Sequence, residues 1–180
     1  MGDRAAAPNT ESSSVAMPLG SSTRKRPNSR RATAPLSSRP LIALVLRSTL
    51  GAMSEWARTL VVGAGGFVGV SLRYMLGGWV YRVVPPDFPW ATFLINVTGC
   101  FVIGFLAILA EERGPIGPAG RLFWLVGVLG GYTTFSTFGY ETFSLAREGS
   151  HALAVANALG QVFLGLVAVW AGVVVARGIG

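Results

Sequence analysis

One cysteine, one histidine and eight acidic residues are all that a chain of 180 residues offers to most metal and redox chemistry. Cys100 stands alone in an apolar run, which excludes an intrachain disulfide and a thiolate metal cluster. His151 lies at a loop without a second histidine and is read as a solvated interfacial side chain. No nucleophile with a base, no phosphate loop and no set of metal-ligating side chains is visible, so the chain is not read as an enzyme. Charge is scarce too. Only 13% of residues are charged while 51% are hydrophobic, and the mean hydropathy is +0.53, a balance foreign to soluble domains.

Long apolar sequence is there instead. Four runs, about 60–84, 91–110, 122–146 and 152–176, each reach the ~20 residues that a spanning helix requires. Between them lie "PPDFP" (Pro85 to Pro89), "EERGPIGPAGR" (Glu111 to Arg121) and "REGSH" (Arg147 to His151), hairpin-length connections carrying turn residues and charge. The expectation is an all-α, multi-pass membrane protein of four transmembrane helices.

Residues 1–53 are a different material. They carry eight of the fifteen Lys and Arg but only Asp3 and Glu11, amid Ser, Pro, Ala and Thr. Such a composition buries too little apolar surface to offset chain entropy, so it is read as a disordered basic tail over anionic lipid headgroups. The cluster "RKRPNSRR" (Arg24 to Arg31) has no aromatic or folded context, and no nucleic-acid partner is read from it. "LIALVL" (Leu41 to Leu46) is closed by Arg47 after six residues, too short for a signal peptide. Met53 is an alternative start of translation.

Several polar residues fall at membrane depth. Arg73 lies in the middle of the first run, where a central Arg costs about 2.5–3.5 kcal/mol on insertion scales. Either it has a structural or functional partner, or the first helix ends near Gly77 and Arg73 snorkels to the headgroups. Asn96 either binds a ligand or ties two helices together. Asn157 and Gln161, four residues apart, share one helix face and suggest a polar stripe. Glu141, near the end of the third run, is read as interfacial.

The stretch "GGYTTFSTFGYET" (Gly130 to Thr142) interrupts the third apolar run. Gly130 and Gly131 each lower helix propensity by about 1 kcal/mol relative to Ala, which predicts a helix break there. Irregular backbone at membrane depth must be buried in protein or line a cavity, and freed carbonyls invite a cation. Thr133, Thr134, Ser136 and Thr137 add hydroxyls. Phe135 and Phe138 carry rings whose positive edges suit an anion, although core packing explains two Phe equally well. Thr142 stands outside the Gly130 to Phe138 motif and is read as uninvolved.

"GGYTTFSTF" (Gly130 to Phe138) followed by Glu141, with "GGFVGVSLRY" (Gly65 to Tyr74) and "FPWATFLINVTGCFVIG" (Phe88 to Gly104), resembles the Fluc/CrcB fluoride channel family. The resemblance covers essentially residues 54–176. The tail has no counterpart in it, and "PWAT" (Pro89 to Thr92) stands where the family commonly has Pro-Gly-Thr.

The resemblance implies a four-helix subunit that dimerises with an inverted copy of itself and passively exports fluoride, reducing its toxicity to the cell. It implies a third helix broken at Gly130 and Gly131, and a structural sodium ion held by the carbonyls of Gly130 and Thr133 from both subunits. It places stacked rings at Phe135 and Phe138, the pore amide at Asn96, and a polar track at Asn157 and Gln161, with Thr134 and Thr137 beside the ion path. Arg73 and Glu141 are its candidate charges. With both termini on one side, Arg58, Arg113, Arg121 and Arg177 oppose Arg82 and Arg147, a weak bias that suits insertion in both directions. The eight tail charges make the bias strong, which implies a start at Met53 or a paralogous inverted partner. Two further classes explain part of the pattern. A dual-topology exporter needs a membrane-embedded acid, and the runs carry none before Glu141; a non-transporting membrane scaffold accounts for small and polar residues without a pore.

Overall fold

The computed structural model describes residues 53–114 and 116–179, which belong to one compact unit; the basic tail lies outside the described residues except for Met53. Helix α1 spans Glu55–Val83. Ser54 caps it, its side chain accepting from Ala57 N, and Glu55 and Arg82 sit in its first and last turns, each matching the helix dipole. Val84 is extended ahead of Pro85 and Pro86, which cannot continue the ladder. At 29 residues α1 is longer than a bilayer core requires, and it runs past Gly77 without ending there.

Helix α2 spans Trp90–Ile108 and widens into a π-helical turn, Leu109–Arg113, closed by Gly114 in the left-handed region at φ 66°. The fourth run forms α6, His151–Gly178, in which His151 is the exposed first residue. The third run is built of pieces. A short α3, Pro118–Arg121, leads into a π-helical segment, Leu122–Val128, then α4, Leu129–Tyr132, and after two extended residues α5, Phe135–Arg147. Among the described residues three helical stretches are long and apolar enough to cross a membrane: Glu55–Val83, Trp90–Glu112 and His151–Gly178. The third run does not form a single continuous spanning helix, because α5 has only 13 residues.

Helix α2 packs along α6, and α1 packs along the π-helical segment and α4. Ala110, Leu122, Leu125 and Leu129 form a buried cluster beneath α1 and α2. Close approach of α1 needs glycine on both sides. A Cβ on Gly127 would stand 2.8 Å from Gly65 Cα, and one on Gly131 2.7 Å from the Gly66 carbonyl oxygen. Outward surfaces are apolar, with Phe67, Trp79, Phe163 and Trp170 exposed, as expected where hydrocarbon is the solvent.

Candidate functional site

The helix break falls two residues later than the glycines predict. Gly130 and Gly131 both lie within α4, whereas Thr133 (φ −81°, ψ 157°) and Thr134 (φ −150°, ψ 114°) are extended. Propensity misplaces the break because Gly131 is held in helical geometry by its contact with α1, while the ladder gives way where another partner is waiting. That partner is Asn96. Its Oδ1 accepts from Thr134 N at 2.8 Å, and its Nδ2 donates to the Thr134 carbonyl at 3.1 Å. Thr134 Oγ1 then caps α5 by accepting from Thr137 N at 3.3 Å. In a continuous helix Thr134 N and Thr137 N would serve the carbonyls of Gly130 and Thr133. Both N–H groups are turned to side chains instead, which releases those two carbonyls from the ladder.

Asn96 also donates to Gln161 Oε1 at 2.7 Å, so both hydrogens of its amide are used inside the subunit. Gln161 Nε2 donates to Asn157 Oδ1 at 2.9 Å, confirming that the two share one face of α6. Asn157, 0% exposed, donates to Thr142 Oγ1 at 2.8 Å. Thr142 in turn donates to the Phe138 carbonyl at 2.8 Å. Thr142, outside the Gly130 to Phe138 motif, thus joins this network from the next helical turn.

The rings of Phe135 and Phe138 lie 5.4 Å apart, tilted by 53°. With Asn96, Cys100, Thr134 and Gln161 they line a cavity of about 300 Å³. Phe138 is half-buried, while Phe135 is 81% exposed in the subunit. Hydroxyls cluster at the start of the same turn, with Thr134 Oγ1 2.9 Å from Thr137 Oγ1 and 3.4 Å from Ser136 Oγ.

A second cavity of about 720 Å³ shares Thr134 with the first and is lined by Arg73, Tyr81, Thr92, Thr137 and Glu141. Arg73 does not snorkel from a helix end. It is half-buried, and its Nη1 lies 3.5 Å from the Thr133 carbonyl oxygen, one of the two released from the ladder. Glu141, read as interfacial, is tied into the fold: its Oε1 accepts from Thr92 at 2.9 Å, and its Oε2 is buried with no hydrogen-bond partner among the described residues. Thr92 was not singled out from the sequence, although it precedes Asn96 by four residues and so shares its face of α2. Tyr132 was missed as well. Its hydroxyl lies 2.9 Å from Thr98 Oγ1, which already donates to helix carbonyls, so Tyr132 is the donor and pins the residue before the break to α2.

Residues 60–173 match the family model of the CrcB-like proteins, Camphor Resistance (CrcB). The chain is 46% identical over 118 residues to the fluoride-specific ion channel FluC of Solibacter usitatus, covering 66% of this chain and 97% of that protein. With FluC of Rhizobium meliloti it shares 43% identity over 118 residues, 66% of this chain and 94% of the relative. With FluC of Nitrobacter winogradskyi it shares 43% over 123 residues, 68% and 98% respectively.

Proposed function

The chain belongs to the CrcB family, and from that premise we propose that it is a fluoride-selective passive channel of the cell membrane, letting fluoride leave the cytoplasm and so limiting its toxicity. The observation that carries this reading is the cavity lined together by the rings of Phe135 and Phe138 and the side chain of Gln161. Fluoride is small and strongly hydrated, so a pore must replace its water by N–H and O–H donors and positive ring edges while binding weakly enough for release. Thr134 lines the same cavity, and the Thr137 hydroxyl lies 2.9 Å from its own.

An inverted second copy, with four crossings per subunit, completes the channel. This is supported by what one subunit leaves open: the Phe135 ring is largely bare, and nothing lies within 4 Å of where a Cβ on Gly130 would stand. The break also releases the carbonyls of Gly130 and Thr133 from the helical ladder. Carbonyl oxygens suit a hard cation, and these two, from both subunits, would hold a structural sodium ion. Bound there, sodium supplies a positive charge that ties the broken segments together.

Liposomes loaded with fluoride or chloride and reconstituted with the full chain test the assignment. Fluoride should escape far faster than chloride. Equal rates would overturn selectivity, and no flux of either ion would leave a non-conducting membrane protein.

A further inference from the structure

The hydrogen bonds around the break form one directed chain. Thr134 N donates to Asn96 Oδ1, Asn96 Nδ2 to Gln161 Oε1, Gln161 Nε2 to Asn157 Oδ1, Asn157 Nδ2 to Thr142 Oγ1, and Thr142 Oγ1 to the Phe138 carbonyl. Its ends are backbone groups of fixed function, an N–H that only donates and a carbonyl that only accepts. Both ends demand the same direction, so each carboxamide between them has one orientation in which all the bonds are made. The two ends also belong to the same helical turn, residues 134–138, which carries both rings.

Thr142 is the link without which the chain cannot close. A group at that position must accept from Asn157 and donate to a carbonyl at the same time, and a hydroxyl is the one compact side chain that does both well. Without it the Asn157 amide, fully buried, is left with an unsatisfied N–H. The strain is relieved by turning Asn157 away from Gln161, and Gln161 is the α6 amide of the chain that lines the cavity. In the closed chain Gln161 uses one of its two Nε2 hydrogens on Asn157, and its side chain lines the cavity.

We propose that Thr142 is a positioning residue of the conduction path, holding the Gln161 carboxamide through Asn157 with an N–H available to the anion, and holding the turn that carries Phe135 and Phe138. This rests on the channel reading above and adds to it a residue outside the "GGYTTFSTF" stretch.

The test compares Thr142→Val, which keeps the shape and loses the hydroxyl, with Thr142→Ser, which keeps the hydroxyl and loses the methyl. Fluoride efflux is measured on the reconstituted full chain per mole of dimer recovered from size exclusion. Thr142→Val should lower efflux by about tenfold, the equivalent of one stranded buried donor, and Thr142→Ser should restore most of it. A packing role gives the opposite order, so a Ser variant slower than the Val variant, or a Val variant at wild-type rate, overturns the proposal. Should Thr142→Val fail to assemble, Thr142→Cys takes its place: its thiol is a weak donor and acceptor, and efflux must fall between Ser and background. A wild-type chain that passes no fluoride overturns the channel reading itself, which separates that failure from this one.

Discussion

Asn96 and Thr134 are bonded twice, the carboxamide accepting from the Thr134 amide at 2.8 Å and donating to its carbonyl at 3.1 Å. An interrupted helix at membrane depth must satisfy its freed backbone internally, and one side chain from α2 does so for both polar groups of Thr134. Asn96→Asp keeps the acceptor and removes both Nδ2 bonds, while setting a carboxylate against Gln161 Oε1 and against any anion in the cavity. Thermal unfolding of the purified protein should show a loss of about 1–3 kcal/mol for each buried group stranded. Fluoride efflux should fall with it. Wild-type efflux from a folded Asn96→Asp variant would reduce Asn96 to a packing residue.

The two rings make a separate prediction. Replacing Phe135 or Phe138 by Ile keeps an apolar side chain but removes the quadrupole whose positive edge is offered to the ion. A repacked apolar core would cost at most about 1.5 kcal/mol from such a swap. Fluoride efflux should therefore collapse in both variants while size exclusion still gives the wild-type elution volume. Efflux at the wild-type rate in both would assign the rings to packing.

Which parts of this arrangement were legible in the sequence follows from how local each cause is. Three spans are legible because a bilayer needs only a long apolar stretch, which composition along the chain reveals directly. The pairing of Asn157 with Gln161 is legible because helical spacing alone puts them together. The position of the break is not, because it depends on Asn96, 38 residues before Thr134 in sequence, and on the contact of Gly131 with α1. Arg73 was left between two readings for the same reason. Its acceptor, the Thr133 carbonyl, is 60 residues away. Thr142 shows the remaining limit: its distance of four residues from Phe138 predicts a bond back to that carbonyl, but its second bond comes from another helix.

Gly130 and Gly131 look interchangeable in sequence and differ in the fold. A Cβ on Gly131 would stand 2.7 Å from the Gly66 carbonyl oxygen, a backbone atom that cannot swing aside, whereas one on Gly130 meets nothing within 4 Å beyond its own helix among the described residues. Gly131→Ala should thus destabilise the subunit by about 1–3 kcal/mol through overpacking against α1. Gly130→Ala should leave the subunit as stable or raise it by up to about 1 kcal/mol, since Ala favours the helix. Denaturation of the two variants in one detergent gives the comparison. Equal losses would mean that the glycines act together on the break and not separately on packing.

At the proposed sodium site Arg73 would be a rival cation, since its guanidinium approaches the Thr133 carbonyl oxygen at 3.5 Å. A positive charge so close repels a second cation on the same oxygen, more strongly in protein than in water. Arg73→Met should therefore tighten sodium binding while weakening the fold through the lost hydrogen bond. The two effects separate in one measurement. A ligand that binds only the folded state stabilises it by RT ln(1 + L/Kd), L being its free concentration, so the concentration at which stabilisation sets in reports Kd whatever the baseline stability. The unfolding midpoint of the wild-type protein should rise with added sodium and not with a bulky organic cation at equal ionic strength. In Arg73→Met the sodium concentration at which the rise sets in should drop by about tenfold. An unchanged or higher onset concentration would show that Arg73 and sodium do not share the Thr133 carbonyl, and a wild-type midpoint indifferent to sodium would remove the ion from that place altogether.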